Sequence, residues 1–466
     1  MGGSEASLAC SVFIFKFSIA SLLQFRDYLF SPGTPDHFMD LNFFFALLGG
    51  LLVLAFVANR LVRFTGVPDV IILMATGVVI GPVLHWVKPE VFRGATHGFG
   101  SLALILILFE GGLEVKLREI ISHFAGGLFL SLFSFTLSAA AVALVCRQAL
   151  HYNWVAALLV GAALGCISSS IILPVLQQVN LRRLVKVRLL VEASFGDALA
   201  VLAVTTLLDV AAGGSASAKF ITWTLVSSVI LAVASGVLIG ILWSYLLPFL
   251  SEERFWHVLT FAAVLLLYSG VHALHGNELV AVLVFGLTLS NYPAAQKRFH
   301  LADEAKSADW FSETPVKEEH AQQHGQMLTF HGELAFLIRT FFFVLLGALV
   351  EFAGLRKHAV LALGCFGALF VARWLAVQSG RFAWRAFTAH ERELMTWFLP
   401  RGLITAVLGI QIVEARGAEF EFLPSLAFAV ILISNLALLI GSLRARRLFP
   451  ESLSAVPEPA IPEVTT

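Results

Sequence analysis

Charge is what this chain has least of. Only 13% of its 466 residues are Asp, Glu, Lys or Arg, where an ordinary soluble domain carries about a quarter. So few charges cannot cover a water-exposed surface on a chain of this length, which excludes a soluble domain. Net charge is missing too: 31 basic residues balance 31 acidic ones, and nothing points to a nucleic-acid partner. Cysteine is scarce. Cys10, Cys146, Cys166 and Cys365 have no metal-ligand spacing, and three of them lie in or beside apolar runs. They read as small core hydrophobes rather than a disulfide framework.

What the chain has in abundance is apolar residues, 58% of the total, with a mean hydropathy of +0.86. They fall in runs that repeatedly reach roughly 20 residues, enough to cross a bilayer. The fold class is an all-α polytopic membrane protein with about 13 transmembrane helices. The predicted spans lie near 42–59, 68–87, 98–115, 122–145, 154–178, 185–210, 218–248, 255–273, 277–292, 332–353, 357–378, 393–414 and 422–443. One set of alternate loops, with the tail residues Arg444, Arg446 and Arg447, holds nineteen of the basic residues and the other set seven. Basic loops stay in the cytoplasm, so the C-terminus is expected there. The minimal loops and tail fit a bacterial inner membrane.

Three regions follow. Residues 1–41 form an N-terminal extension; its apolar stretch 8–24 is short, holds Lys16, and reads as a signal-like segment, an extra helix or sequence ahead of a start at Met39. Residues 42–448 are the membrane domain, with inverted repeats at about 42–210 and 255–443 and a hydrophilic linker loop at 293–331. That loop carries His300, His320, His324 and His331, which leaves pH sensing open beside the plainer reading of a solvated linker. Residues 449–466 are a short cytoplasmic tail.

The informative residues are charges inside apolar spans. A charge at the bilayer centre costs at least ~2.5–3.5 kcal/mol on insertion scales, so it persists only when paired, hydrated or protonated. Glu192 and Asp197 sit five apart in LLVEASFGDALAVLAVTTLL, about 140° apart around a helix, and so face different neighbours. Arg373 lies deep in LFVARWLAV and Arg401 follows Pro400 in WFLPRGLITAVLG. Neither arginine can lose its proton. One acid paired to arginine leaves the other free to titrate; Glu192 as the structural partner and Asp197 as the functional acid is the natural partition, with the reverse open. Arg339, at the start of span ten, is expected to be structural, with its long side chain able to reach an interface. Glu110 and Glu114 are expected to be interfacial.

Two spans look broken. GAALGCISSSIILPVL holds Ser168, Ser169 and Ser170 between a glycine and Pro174, and FLPRGLIT has the same character. Gly/Pro-interrupted spans in corresponding halves point to a transporter's midplane site. If the two breaks cross, like helix ends meet and need compensation, for which Arg401 and the three serine hydroxyls are well placed. Plain helix packing by small residues is the other reading of the serines. The repeat also shows faintly where LFEGGLEV is set against VLLGALVE, matching Gly111 to Gly347.

These patterns resemble the monovalent cation:proton antiporters, particularly the sodium/proton exchanger branch. FEGGLEVKLRE, EASFGDALAV, FFFVLLGALV, VARWLAV and FLPRGLITAVLG carry the resemblance across residues 98–410. It implies a dimeric bundle with two crossed discontinuous helices, a mobile core and a dimerisation domain. It also implies exchange of Na+, K+ or Li+ for H+, electroneutral, by competition of cation and proton at Asp197. Ser168 and Ser169 would be cation ligands beside Asp197. Glu192 and Arg373 would form a structural bridge, and Arg401, Ser170 and Pro400 would belong to the helix crossing. The family's asparagine is Gly196 here and its serine Ala193, while the three serines resemble the potassium-efflux branch, so the ion is not named. No cofactor, resident metal or enzyme activity is implied; the partners are the ions, lipid and a second copy. An intramembrane aspartyl protease would need a second mid-membrane aspartate, and none is visible beside FGDAL. A channel or a solute symporter on the same repeat remains the alternative.

Overall fold

In the computed structural model, the described residues are 41–65, 67–85, 89–114, 124–213, 218–250, 255–304, 316–383 and 387–449. Helices follow one another along the chain: α1 Leu41–Thr65, α2 Asp69–Val78 (continuing as a π turn, Val79–Val83), α3 Pro89–Glu114, α4 Phe124–Leu150, α5 Trp154–Gly165 and α6 Ser169–Gln178. Then come α7 Arg183–Gly213, α8 Ala218–Leu250, α9 Trp256–Ala273, α10 Glu278–Glu304 and α11 Val316–Ala348. The chain ends in α12 Phe352–Ala383, α13 Ala389–Trp397, α14 Leu403–Arg416 and α15 Leu423–Leu448. No strand occurs among the described residues, as expected where lipid offers backbone groups no partner outside a helix or a closed barrel.

Among the described residues each predicted span falls on helix, spans five and twelve on two helices each. Eight stretches are long and apolar enough to cross a membrane, and four more are apolar but shorter. The tally of about 13 is not reached by that measure; span twelve, for one, is split into helices of 9 and 14 residues. Leu266, Phe249 and Val360 are 73%, 79% and 83% exposed, an apolar exterior that suits lipid rather than water.

Several expectations need correction. The stretch read as a linker loop at 293–331 is largely helix, because α10 runs on to Glu304 and α11 begins at Val316. His331 is therefore not in a loop. It is fully buried on α11, its Nδ1 2.9 Å from the Met327 carbonyl and its ring edge-on to Phe109. The side chains of His300, His320 and His324, and the N-terminal extension, lie outside the described residues. Cys146, Cys166 and Cys365 are free and buried.

The repeat is visible in how glycines pack, one residue from where the sequence match put it. A Cβ on Gly112 would lie 2.4 Å from the Leu283 carbonyl, and one on Gly286 2.6 Å from the Phe109 carbonyl. In the other half a Cβ on Gly347 would lie 2.3 Å from the Met74 carbonyl, and one on Gly77 2.0 Å from that of Val344. So α3 meets α10 through glycine as α11 meets α2. A Cβ on Gly111, the residue that the sequence match set against Gly347, would touch nothing; Gly112 makes the close contact in that half.

Candidate functional site

Spans five and twelve are both interrupted. Helix α5 stops at Gly165, Cys166 and Ser168 are extended, and α6 starts at Ser169. Helix α13 stops at Trp397, and α14 starts at Leu403 after a non-helical Gly402. The two breaks meet: the Ser168 N–H donates to the Pro400 carbonyl at 2.9 Å. They meet so closely that a Cβ on Gly402 would fall 2.2 Å from Ser168 Oγ, and only glycine fits.

Breaking a helix in an apolar core strands backbone groups. Span thirteen supplies partners that the sequence reading overlooked. Ser434 Oγ accepts the Arg401 N–H at 2.9 Å, and Asn435 Nδ2 donates to the Arg401 carbonyl at 2.9 Å. Both side chains are fully buried on α15. The signal is in the sequence, since SN interrupts the apolar run LAFAVILISNLALLI, but the pair carries no formal charge.

The two acids on α7 have separate surroundings. Glu192 pairs with Arg373 on α12, both essentially buried. The guanidinium also donates to the Met395 carbonyl at 2.9 Å, in the last turn of α13, and reaches Ser134 Oγ at 3.4 Å. That places a cation against the negative end of a half-helix. Asp197 is 1% exposed and stands at the other kind of end. Its Oδ2 accepts the Ser169 hydroxyl at 2.7 Å and lies 3.3 Å from the Ser169 N–H, the first of α6. Its Oδ1 is buried without a partner.

Of the three serines, Ser169 alone is hydrogen-bonded to Asp197 among the described contacts. The Ser168 hydroxyl is 3.1 Å from that of Ser170 and backs onto Gly402. Arg401 is 1% exposed, with Nε and Nη1 unpartnered, and Glu192 and Asp197 both lie within its electrostatic reach. A Cβ on Gly196 would meet Ser131 Oγ, Cys166 Cβ and the Ile167 N at 3.8–3.9 Å, ordinary contact distances.

Arg339 is held by protein partners. It lies in the body of α11 and bonds Asp69 and the Ser170 carbonyl. Glu110 is half-buried and faces α11, where a Cβ on Gly332 would lie 3.3 Å from its Oε1. The side chain of Glu114 lies outside the described residues.

The site therefore offers one carboxylate oxygen with no hydrogen-bond partner among the described residues, held among hydroxyl and backbone dipoles at a crossing of broken helices. It can take a proton or a small cation, and the neighbouring ion pair neutralises the other acid.

Residues 51–443 match the family model described as sodium/hydrogen exchanger, transmembrane. A K(+)/H(+) antiporter NhaP2 from Shewanella sp. (strain MR-4) is 24% identical over 435 residues, covering 90% of this chain and 69% of that protein. The Na(+)/H(+) antiporter 1 of Methanocaldococcus jannaschii is 23% identical over 381 residues, 80% of this chain and 84% of that one. The structure of the sodium proton antiporter MjNhaP1 from the same organism, at pH 8, superposes with a TM-score of 0.64 at 19% identity, over 86% of this chain and 95% of that one.

Proposed function

The chain belongs to the family of transmembrane sodium/hydrogen exchangers, and we propose that it is a secondary active antiporter trading a monovalent cation for a proton at Asp197. The observation that carries the reading is the division between the two acids. Glu192 has its counter-charge in Arg373, while Asp197 keeps one buried oxygen unpartnered. An acid left so in the membrane is a site for exchange.

Ionised, Asp197 takes a partly dehydrated Na+, K+ or Li+, with Ser169 and nearby carbonyls or water completing an oxygen shell. Protonated, it is neutral. Either load cancels the charge, so the site can pass from one side to the other, whereas the empty carboxylate crosses only at high cost. Cation and proton compete for one group, and the exchange is one for one and electroneutral. Ser168, Ser170, Pro400 and Arg401 hold the crossing, and Arg401 offsets the negative helix ends that meet there. The relatives are named for potassium in one case and sodium in the other, so both ions belong in the test. The protein works as a homodimer in a bacterial inner membrane with its C-terminus in the cytoplasm.

The experiment is proton flux in proteoliposomes holding a pH gradient, with Na+, K+ and Li+ added in turn, for wild type and Asp197→Asn. Dissipation by a cation in wild type, absent in the variant, is expected. Substantial antiport by Asp197→Asn overturns the assignment, and cation flux without proton movement points to a channel.

A further inference from the structure

Arg339 does not touch the Asp197 carboxylate but bonds the helix that does, and the origin of that contact is a proline. The Ser170 carbonyl, in the first turn of α6, would ordinarily accept the N–H four residues on. That residue is Pro174, which has none. One carbonyl is thus orphaned in the turn that also carries Ser169.

Arg339 fills the gap. Its Nη1 donates to the Ser170 carbonyl at 2.7 Å, and its Nη2 is 3.2 Å from Asp69 Oδ2. Asp69 is itself oriented, since its Oδ1 accepts the Val70 N–H at 3.0 Å. The two side chains are 13% and 7% exposed, so the guanidinium is held by these partners rather than by water. It is also charge-matched: with Asp69 beside it, Arg339 does not spend its charge on neutralising Asp197.

The base of this strut is stiff. Helices α2 and α11 approach so closely that a Cβ on Gly77 or Gly347 would run into the facing backbone. Helix α6, by contrast, is ten residues long with a proline inside it, and packs mainly on α7.

We propose that Arg339, oriented by Asp69, is a positioning residue for the Asp197 site. Its guanidinium replaces the N–H that Pro174 lacks, fixes the first turn of α6, and so aims the Ser169 hydroxyl and N–H at the Asp197 carboxylate. This rests on the reading above that Asp197 carries the exchanged ion.

The test uses the full chain in proteoliposomes, with Na+ and K+ titrated. Arg339→Gln raises the cation KM several-fold, more than it lowers the maximal rate. Asp69→Asn shifts KM the same way, and the double variant is no worse than Arg339→Gln. Pro174→Ala, added to Arg339→Gln, supplies the missing N–H and brings KM back toward wild type. A loss of maximal rate alone, in proportion to folded protein, overturns the proposal, as does a KM defect that Pro174→Ala leaves untouched. Should Arg339→Gln fail to accumulate, Arg339→Lys carries the same comparisons. Hydrogen exchange at the α6 amides in nanodiscs needs no transport: protection falls in Arg339→Gln and returns with Pro174→Ala, and unchanged protection overturns the proposal. That second readout still decides the role of Arg339 if Asp197→Asn proves active and the antiport assignment itself fails.

Discussion

Glu192 and Asp197 are chemically alike, yet the fold gives them opposite environments. Five residues set the two side chains about 140° apart around the helix, so one acid meets Arg373 and the other meets the start of α6. The consequence for stability differs accordingly. Glu192→Ala leaves the Arg373 guanidinium buried without its counter-charge, a loss of about 3–5 kcal/mol, seen as a large fall in the thermal unfolding midpoint of the purified protein. Replacing both partners with apolar residues of similar volume should recover most of it, because the uncompensated charge goes too. Asp197→Asn should unfold at or above the wild-type midpoint, since it removes a buried charge with no basic partner in contact, even though exchange is lost. A destabilised Asp197→Asn would argue that the carboxylate is part of the framework.

At the scale of an element, the half-helices depend on what ties off their ends. Asn435 and Ser434 hold the backbone of Arg401 from a third helix, and removing such a partner strands a buried group at roughly 1–3 kcal/mol. Asn435→Ala is therefore expected to lower the unfolding midpoint clearly, while Asn435→Asp also impairs exchange by adding a negative charge at the crossing. Helix α13 starts with a capping box, in which Glu391 accepts the Thr388 N–H at 2.8 Å and the Glu391 N–H reaches Thr388 Oγ1 at 3.2 Å. Arg182 joins from the turn between α6 and α7. Burial opposes ionisation of Glu391, but the bonds from Arg182 and Thr388 outweigh it and hold the carboxyl below its ordinary value. The folded state thus binds fewer protons than the unfolded one as pH falls, and the contribution is full at neutral pH and lost on acidification through the folded value. Glu391→Gln should lower the midpoint at pH 7, and the gap to wild type should close at low pH.

At the scale of the molecule, the two halves share a packing device. Gly112 on Gly286 and Gly347 on Gly77 bring helix backbones together in corresponding places, as small residues do where lipid gives helices no hydrophobic reason to associate. Gly112→Ala and Gly347→Ala are expected to cost comparable stability, because each Cβ meets a backbone carbonyl that cannot retreat. Gly111→Ala should be neutral or mildly stabilising, since its Cβ meets open space and alanine favours a helix by about 1 kcal/mol. Unfolding midpoints of the three variants test the repeat assignment directly; a harmful Gly111→Ala would restore the sequence match.

The sequence by itself determined the helical membrane class, the two interrupted spans and the identity of the unusual charges. Those conclusions follow from composition, span length and the cost of charge in lipid, all local properties of the chain. Beyond the Glu192–Arg373 bridge that the family resemblance implied, it was silent on pairings between distant residues. Nothing in the sequence marks Asp69 as a partner for Arg339, and 293–331 reads as a loop because its polarity masks a helical backbone. Which serine faces Asp197 was equally hidden, since three adjacent serines differ only in the direction the broken backbone points them. Only the tertiary structure decided these, because partners for orphaned carbonyls and buried charges come from other helices, 34 to 270 residues away in the chain, and their meeting is set by packing rather than by any neighbour in the chain.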